Sequence, residues 1–193
     1  MTKIKSKRKK KSRKSIKKPK KIDVDQILLA ERQLFLFDVI KQESTRNLIK
    51  NMIALDKQAT APIALYINSP GGNVDCGFAI IDSINGIESP VFTIIVGEAC
   101  SMAGLISIAG RKRFMTKHSV WMAHDMAGGI HGDYTTKIKD RAKFLEKEQE
   151  KLQRFLAQNT KLTPKEITKA QHGELWLNPE ECLKKGIVDE VLK

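Results

Sequence analysis

The chain has 193 residues, and its 35 lysine and arginine residues outnumber its 22 aspartate and glutamate residues to give a formal net charge of +13. No stretch of the sequence approaches the roughly 20 consecutive apolar residues that a membrane-spanning helix needs. The three cysteines, an odd number without metal-ligand spacing, argue against a disulfide scaffold and a metal site and suit a reducing compartment.

The positive charge is concentrated at the amino terminus. Residues 1–21 hold 13 lysine and arginine residues and no acidic residue, which leaves 22 basic against 22 acidic residues in the other 172. Because such a block cannot offset the entropy of ordering it, we predict a disordered Lys/Arg-rich tail at 1–21 and one folded domain at 22–193. The tail lacks the apolar run of a secretory signal. We interpret it as a solvated arm, as a segment that attracts nucleic acid, an anionic surface or an acidic partner, or as a targeting segment.

Apolar runs predict four strands along the folded part of the chain. These strands are 34–37, 63–67, 91–96 and 119–123. Helical spacing of apolar residues predicts helices between them, opened by residues that can cap a helix. The caps are Ser44 or Thr45, then Asn73, then Ser101. The second and third of these helices are expected to end at Gly86 and Gly110.

The last third of the chain is different in character. Residues 135–157 predict a long charged helix with a narrow apolar stripe, which indicates packing against another chain, extension from the main body, or a helix lying on its own domain. Thr163 and Asn178 each begin a capping box with proline at the first helical position, and they predict two short helices.

Strands that are apolar on both faces and alternate with helices indicate an α/β fold with mostly parallel sheets covered by helices. In such folds, sites are built where the carboxyl ends of strands turn into the following helices. Two such turns, 68–73 and 97–101, follow neighbouring strands, and Ser101 ends the second. Ser101 is therefore a candidate nucleophile, with an ordinary helix cap as the alternative.

Acyl transfer by a serine requires a base and hydrogen-bond donors for the oxyanion. The backbone N–H groups of Gly72, in the glycine turn, and Met102, at the start of the helix, can supply those donors. Among the histidines His118, His124, His131 and His172, His124 lies at the same type of strand end as Ser101. Spacing alone leaves the carboxylate that would orient this base open. The candidates are Asp125, Asp133, Glu174 and Asp189.

At these residues the sequence resembles the proteolytic subunit of the Clp protease, the ClpP family of self-compartmentalising serine peptidases. The resemblance covers nearly all of the chain after the tail and rests on five segments in the same order and spacing. They are "LLAERQLFL" (28–36), "LYINSPGGNV" (65–74), "ACSMAGLISIAG" (99–110), "MAH…GGIHG" (122–132) and "LWLNPEECLKKGIVDEVL" (175–192).

The resemblance implies the ClpP/crotonase-like α/β fold with a protruding handle helix, here about 125–157. By position it makes Ser101 the nucleophile, His124 the general base, and Gly72 and Met102 the oxyanion donors. The family has an aspartate two residues before the aromatic residue of its C-terminal signature, and Glu174 stands at that position before Trp176. Glutamate is one methylene longer, so the geometry of the third triad member must differ.

The resemblance further implies a cytoplasmic serine endopeptidase in stacked heptameric rings, without a metal or organic cofactor, that degrades unfolded polypeptides with an AAA+ unfoldase. An organelle or a viral setting is the alternative. Tyr66 keeps one aromatic position of the family's unfoldase-docking pockets, whereas Ala64 and Gly86 stand where aromatic residues are common. Two other functions are weighed against this one: a non-catalytic ring subunit, and a crotonase-type acyl-CoA enzyme on the same fold.

Overall fold

The computed structural model describes residues 22–128 and 134–193. The predicted tail at 1–21, together with His131 and Asp133, lies outside the described residues, so the predictions that concern them remain predictions.

The described residues form seven helices and seven strands that alternate through most of the chain. In chain order they are α1 (Val24–Ala30), β1 (Gln33–Phe37), α2 (Gln42–Gln58), β2 (Ile63–Ser69), α3 (Val74–Gly86), β3 (Val91–Cys100), α4 (Met102–Ser107), β4 (Lys112–Thr116), β5 (Val120–His124), α5 (Thr135–Asn159), α6 (Pro164–Gln171), β6 (Glu174–Leu177), α7 (Pro179–Lys184) and β7 (Glu190–Leu192).

Within the described ranges the strands form one mixed sheet that is mostly parallel, as the sequence predicts. The main path runs β1-β2-β3-β4-β7 with parallel pairing throughout. A branch leaves β3 through a parallel pairing with β5, and β5 pairs antiparallel with β6. The buried core lies between this sheet and the helices that cover it, and strand residues such as Ile63, Leu65 and Ile95 are fully enclosed.

The branch exists because β3 changes partner halfway along its length. Its first half, Phe92–Ile95, pairs with β4, and its last three residues, Glu98–Cys100, pair with β5. Between the halves lies Gly97 with a φ of 93°, where a Cβ would stand 2.7 Å from the Asn68 Oδ1. A residue without a side chain is therefore needed at the bend. The bend delivers the end of β3, and Ser101 after it, to the side of β5.

The sequence-predicted boundaries are close for most elements but wrong for several. Helix α2 begins at Gln42, so Ser44 and Thr45 are not its caps; Lys41 is the N-cap, and Ser44 Oγ accepts a hydrogen bond from the Lys41 N–H at 3.2 Å. Helix α4 ends at Ser107, well before Gly110. Asn73 caps α3 as expected, with Oδ1 accepting from the Cys76 N–H at 2.8 Å.

Three strands were missed by the sequence analysis: β4, β6 and β7. The capping boxes at Thr163 and Asn178 are both present and begin α6 and α7 as predicted. Helix α5 is long and charged, and its buried residues are Leu152 and Leu156 near its end. Its first half therefore exposes most of its surface, as expected of a protruding handle helix.

Arg32 fastens the end of α2 to the start of the sheet. Its guanidinium donates to the carbonyl oxygens of four residues in the last turn of α2 and the loop between α2 and β2. It also donates to the Ser89 hydroxyl, and all of these distances are 2.8–3.2 Å. The carbonyls belong to Leu55, Ala59, Ala61 and Pro62. The Arg32 carbonyl in turn accepts from the Ala64 N–H in β2 at 3.0 Å. One cation thus donates to carbonyls of the last turn of α2 and of the loop that follows it.

We expect Arg32→Met to lower the free energy of unfolding by about 2 kcal/mol, because the carbonyls lose a charged donor while the aliphatic stem is kept. Urea unfolding followed by circular dichroism, at one fixed protein concentration, measures the change. Arg46→Met, at an exposed position on α2, is the matched control and should change it by less than about 0.5 kcal/mol. Equal losses in the two variants would show that the carbonyl contacts of Arg32 do not stabilise the fold.

Candidate active site

Ser101 stands at the turn between β3 and α4 in a strained backbone conformation. Its φ is 55° and its ψ is −126°, a region that residues with a side chain rarely adopt. Its N–H donates to the Met122 carbonyl of β5 at 2.8 Å, and its side chain makes no capping hydrogen bond to α4. The hydroxyl is therefore not a helix cap. Such a sharp strand-to-helix turn is typical of a nucleophile presented at the edge of a sheet.

The glycine turn packs directly against Ser101. Gly71 has a φ of 98°, and a Cβ on it would lie 2.7 Å from the Ser101 Cβ and 3.0 Å from the Met102 nitrogen. Ser69 holds the turn in place. Its buried hydroxyl accepts a hydrogen bond from the Gly71 N–H at 3.1 Å and donates one to the Asp38 carbonyl at 2.6 Å. Only glycine permits this approach of the two backbones.

Two backbone donors point to an oxyanion hole beside Ser101. Gly72 forms a parallel bridge with Ile40, but the hydrogen bonds of that bridge use the Gly71 carbonyl and the Asn73 N–H. Met102 is the first residue of α4, where no intrahelical acceptor exists. Within the described ranges, neither the Gly72 nor the Met102 N–H donates a hydrogen bond to the protein. Both residues line the same cavity as Ser101.

The start of α4 is anchored on two sides. The buried Met102 side chain packs against Gly77 of α3 so closely that a Cβ on Gly77 would overlap its atoms. The indole N–H of the fully buried Trp121 donates to the Gly104 carbonyl at 3.1 Å. These contacts fix the direction of the Met102 N–H relative to β5.

His124 is the last residue of β5 and lines the same cavity as Ser101. Because Met122 binds the Ser101 N–H and His124 follows it by two residues, one strand sets the positions of both side chains. The His124 imidazole makes no hydrogen bond within the described part of the chain. The hydrogen bond between Ser101 and His124 that proton transfer requires is therefore not formed in this structure. His118 precedes β5 at the opposite end of that strand, and His172 caps the end of α6.

Glu174 faces His124 across the β5–β6 pair. The two residues are direct partners in the antiparallel register, which puts their side chains on one face of the sheet. The Glu174 carboxylate, however, is exposed and accepts a hydrogen bond from the Trp176 indole N–H at 2.7 Å. It does not line the cavity that holds Ser101 and His124. The structure thus brings the expected acid to the base without a hydrogen bond between them.

The other candidate acids are less well placed. Asp125 borders the cavity, but its side chain is exposed, and its Oδ1 accepts from the Met126 N–H at 2.8 Å. Asp189 pairs with Arg113 at 2.8 Å, on a different part of the sheet from His124. Burial alone would raise the pKa of Asp189, but its hydrogen bonds to Arg113 and the positive charge there offset this and hold the pKa below its usual value.

Cys100 adjoins Ser101 but is not a second nucleophile. It is buried, and this burial, reinforced by the negative charge of Glu98, raises the pKa of its thiol to about 12. The thiol therefore stays protonated at neutral pH, and only a thiolate is a strong nucleophile.

The cavity beside Ser101 has a volume of about 270 Å³ and is bounded by α3, α4, α5 and α6. Most of its walls are apolar side chains: Val74, Leu105, Leu152, Leu156 and Ile167. A hydroxyl and an imidazole at an apolar cavity, with unpaired N–H groups beside them, are the elements of an acyl-transfer site.

Residues 22–128 and 134–193 contain no group of three histidine, cysteine, aspartate or glutamate side chains placed to hold a metal ion. None of the described helices combines the length and the apolarity needed to cross a bilayer.

Comparison with known proteins establishes the family of the chain. The model of the Clp protease family matches residues 16–193. The chain belongs to the Clp protease family. The resemblance drawn from the five sequence segments is thereby confirmed, and with it the activity class, a serine-type endopeptidase.

Curated relatives match along almost the whole chain. The chain is 35% identical over 183 residues to "ATP-dependent Clp protease proteolytic subunit 2" of Treponema denticola, which covers 92% of this chain and 91% of the relative. It is equally identical, at 35% over 175 residues, to "ATP-dependent Clp protease proteolytic subunit" of Streptococcus pyogenes, with 89% of each chain covered. The subunit of the same name from Streptococcus suis matches at 35% over 174 residues, with 88% and 89% covered.

Three contributors to the site were missed by sequence reasoning. They are the Met122 carbonyl that binds Ser101, the Ser69 hydroxyl beneath the glycine turn, and the Trp176 indole on Glu174. A carbonyl has no sequence signal. Strand β6 has no periodic signal in the sequence, because residues 174–177 read Glu-Leu-Trp-Leu and four residues are too few to be recognised by period alone.

We expect Gly71→Ala to lower kcat/KM for a peptide substrate at least about a hundredfold, because the added methyl displaces Ser101 and the Met102 N–H. Steady-state hydrolysis of a fluorogenic peptide by the assembled protein measures this. Gly86→Ala is the matched control: a Cβ there meets nothing within 4 Å, and activity should stay within about twofold. If Gly71→Ala retained the activity of the control, the close packing of the glycine turn would not matter to catalysis.

Proposed function

We propose that the chain cleaves peptide bonds through an acyl-enzyme formed on Ser101, with His124 as the general base. The observation that carries this proposal is the shared cavity in which the strained Ser101, His124 and the unpaired Gly72 and Met102 N–H groups meet. The Ser101 Oγ attacks the carbonyl carbon of the scissile bond while its proton passes to the imidazole. The oxyanion that forms accepts hydrogen bonds from the two N–H groups.

The acyl-enzyme is then resolved by water. The protonated His124 gives its proton to the leaving amine as the C–N bond breaks. The neutral imidazole next removes a proton from a water molecule, which attacks the ester carbonyl. The C–O bond to Ser101 then breaks, the Ser101 Oγ takes the proton back from His124, and the carboxylic acid product leaves. Glu174 is the third member: its negative charge stabilises the imidazolium that forms in both halves of the reaction. No metal or organic cofactor has a part in these steps.

The apolar cavity supports a preference for unfolded polypeptide that presents large apolar side chains. Its volume of about 270 Å³ and its walls from α4, α5 and α6 fit one such side chain next to Ser101. Folded proteins seldom expose apolar side chains in an extended segment, so an unfolding partner would supply the substrate.

An oligomeric ring and a Clp-type AAA+ unfoldase are the partners that we propose. The relatives named above are ATP-dependent proteolytic subunits, and the single chain leaves Ile138 and Phe144 of α5 exposed, which supports burial against other subunits. Stacked heptameric rings are the form that the family resemblance implies.

On the sheet, exposed Phe35 stacks on Tyr66 at 5.2 Å and contacts Phe37 at 5.8 Å. This aromatic surface supports unfoldase docking although Ala64 and Gly86 lack aromatic side chains.

A cytoplasmic location and an anionic partner for residues 1–21 are the remaining proposals. The three cysteines, all free and buried, support a reducing compartment. The charge of the tail is the basis for attraction to nucleic acid or an acidic protein, and salt-dependent binding lost on deletion of 1–21 would test it.

Family membership favours the protease over an acyl-CoA enzyme. The unclosed contact between Glu174 and His124 is the reason to test a non-catalytic subunit.

We expect Ser101→Ala to abolish peptide hydrolysis and to leave ring assembly intact, because the change removes only the attacking oxygen. Hydrolysis of a fluorogenic peptide and native mass spectrometry on the same sample measure the two properties. Ser107→Ala, which changes a serine of α4 that does not line the cavity, controls for local packing and should keep the activity within about threefold. Activity of assembled Ser101→Ala near that of the unmodified protein would rule out the proposed nucleophile.

We expect Glu174→Gln to lower kcat about a hundredfold or more, because an amide cannot balance the charge of the imidazolium. Asp125→Asn removes the neighbouring carboxylate that borders the cavity and should lower kcat less than threefold. Steady-state kinetics on both assembled variants make the comparison. If Asp125→Asn caused the larger loss, Asp125 would be the third member instead of Glu174.

A further inference from the structure

Trp176 is the one described residue that binds the Glu174 carboxylate by a hydrogen bond. The two residues are separated by one position on β6, so their side chains emerge on the same face of the strand. The indole N–H donates to Glu174 Oε2 at 2.7 Å, and the ring is half exposed at 50% of its surface. No aromatic or cationic side chain in the described ranges stacks on this ring, so the contact that defines its position is the hydrogen bond to Glu174.

Glu174 needs such an anchor. Its side chain has three torsions, is exposed, and stands opposite His124, so an untethered carboxylate would be spread over many positions. The indole occupies only Oε2 and leaves Oε1 with all of its acceptor capacity. A hydrogen bond from the indole and a second one from the His124 imidazole are therefore compatible on one carboxylate.

We propose that Trp176 is a positioning residue of the active site: its indole N–H holds one oxygen of the Glu174 carboxylate so that the other is available to His124. This inference rests on the proposed role of Glu174 as the third member of the triad. Trp176 transfers no proton and touches no substrate in this account. Its effect is to restrict the carboxylate to the neighbourhood of the imidazole before the imidazolium forms, which is the preorganisation that electrostatic catalysis requires.

The test separates two properties of the indole, its N–H donor and its aromatic ring. Trp176→Phe keeps an aromatic ring and removes the donor, whereas Trp176→Gln removes the ring and keeps an N–H donor of similar reach. We expect Trp176→Phe to lower kcat about tenfold with KM within twofold, and Trp176→Gln to keep kcat within about threefold. Hydrolysis of a fluorogenic peptide by assembled protein gives both constants.

A second background isolates the dependence on Glu174. In Glu174→Asp the side chain has one torsion fewer, and its carboxylate lies too close to its own strand to accept the hydrogen bond from the Trp176 indole. Adding Trp176→Phe to this variant should therefore change kcat less than twofold relative to Glu174→Asp alone. An equal loss from Trp176→Phe in both backgrounds, no loss in either, or a higher kcat for Trp176→Phe than for Trp176→Gln would overturn the proposal.

Two controls keep the outcome decisive. If Trp176→Phe does not assemble, Trp176→Met replaces it as the variant without a donor, and the comparison with Trp176→Gln is unchanged. Ser101→Ala is measured in the same series: activity retained there means that the proposed function fails, whereas activity lost there with Trp176→Phe at full rate means that only the role of Trp176 fails.

Discussion

The hydrogen bond from the Ser101 N–H to the Met122 carbonyl is the contact on which the rest of the site depends. It holds the end of β3 against β5 after Gly97 has turned β3 away from β4, and it keeps Ser101 at a positive φ that the free residue would avoid. The same carbonyl belongs to the strand that ends in His124. A single backbone contact therefore relates the hydroxyl to the imidazole and aims the start of α4, with its unpaired N–H, at the same cavity.

This arrangement explains why so many small residues lie near Ser101. Gly71 allows the glycine turn to approach the Ser101 Cβ, Gly77 makes room for the Met102 side chain, and Gly104 lets the Trp121 indole reach its carbonyl. Each glycine serves a different contact: Gly71 admits the backbone of the Ser101 turn, whereas Gly77 and Gly104 admit buried side chains, and a side chain on any of them would interfere. Buried anchors such as Trp121 then hold the strained turn in place, since strain of this kind persists only where the surroundings fix it.

Sequence reasoning reached the fold class, the parallel strands at the centre of the sheet, and the location of Ser101 and His124 at neighbouring strand ends. Those strands, such as 63–67 and 91–96, are long apolar runs whose period and flanking turns are strong local signals. It failed where the structure depends on distant pairing. The four-residue β6 is a strand only because it pairs with β5, and that pairing, not any local pattern, puts Glu174 opposite His124. The caps of α2 were misplaced because Ser44 acts at the third helical position and not at the first.

The role of Ser101 as nucleophile is tested first by the intact mass of the protein after incubation with a fluorophosphonate, with native mass spectrometry of the same sample to establish its assembly. We expect one adduct per chain on the assembled ring and none on Ser101→Ala, because an activated serine is the only group in the proposed mechanism that such a probe labels. An adduct that persists in Ser101→Ala, or an assembled double ring that takes no adduct at all, would contradict it.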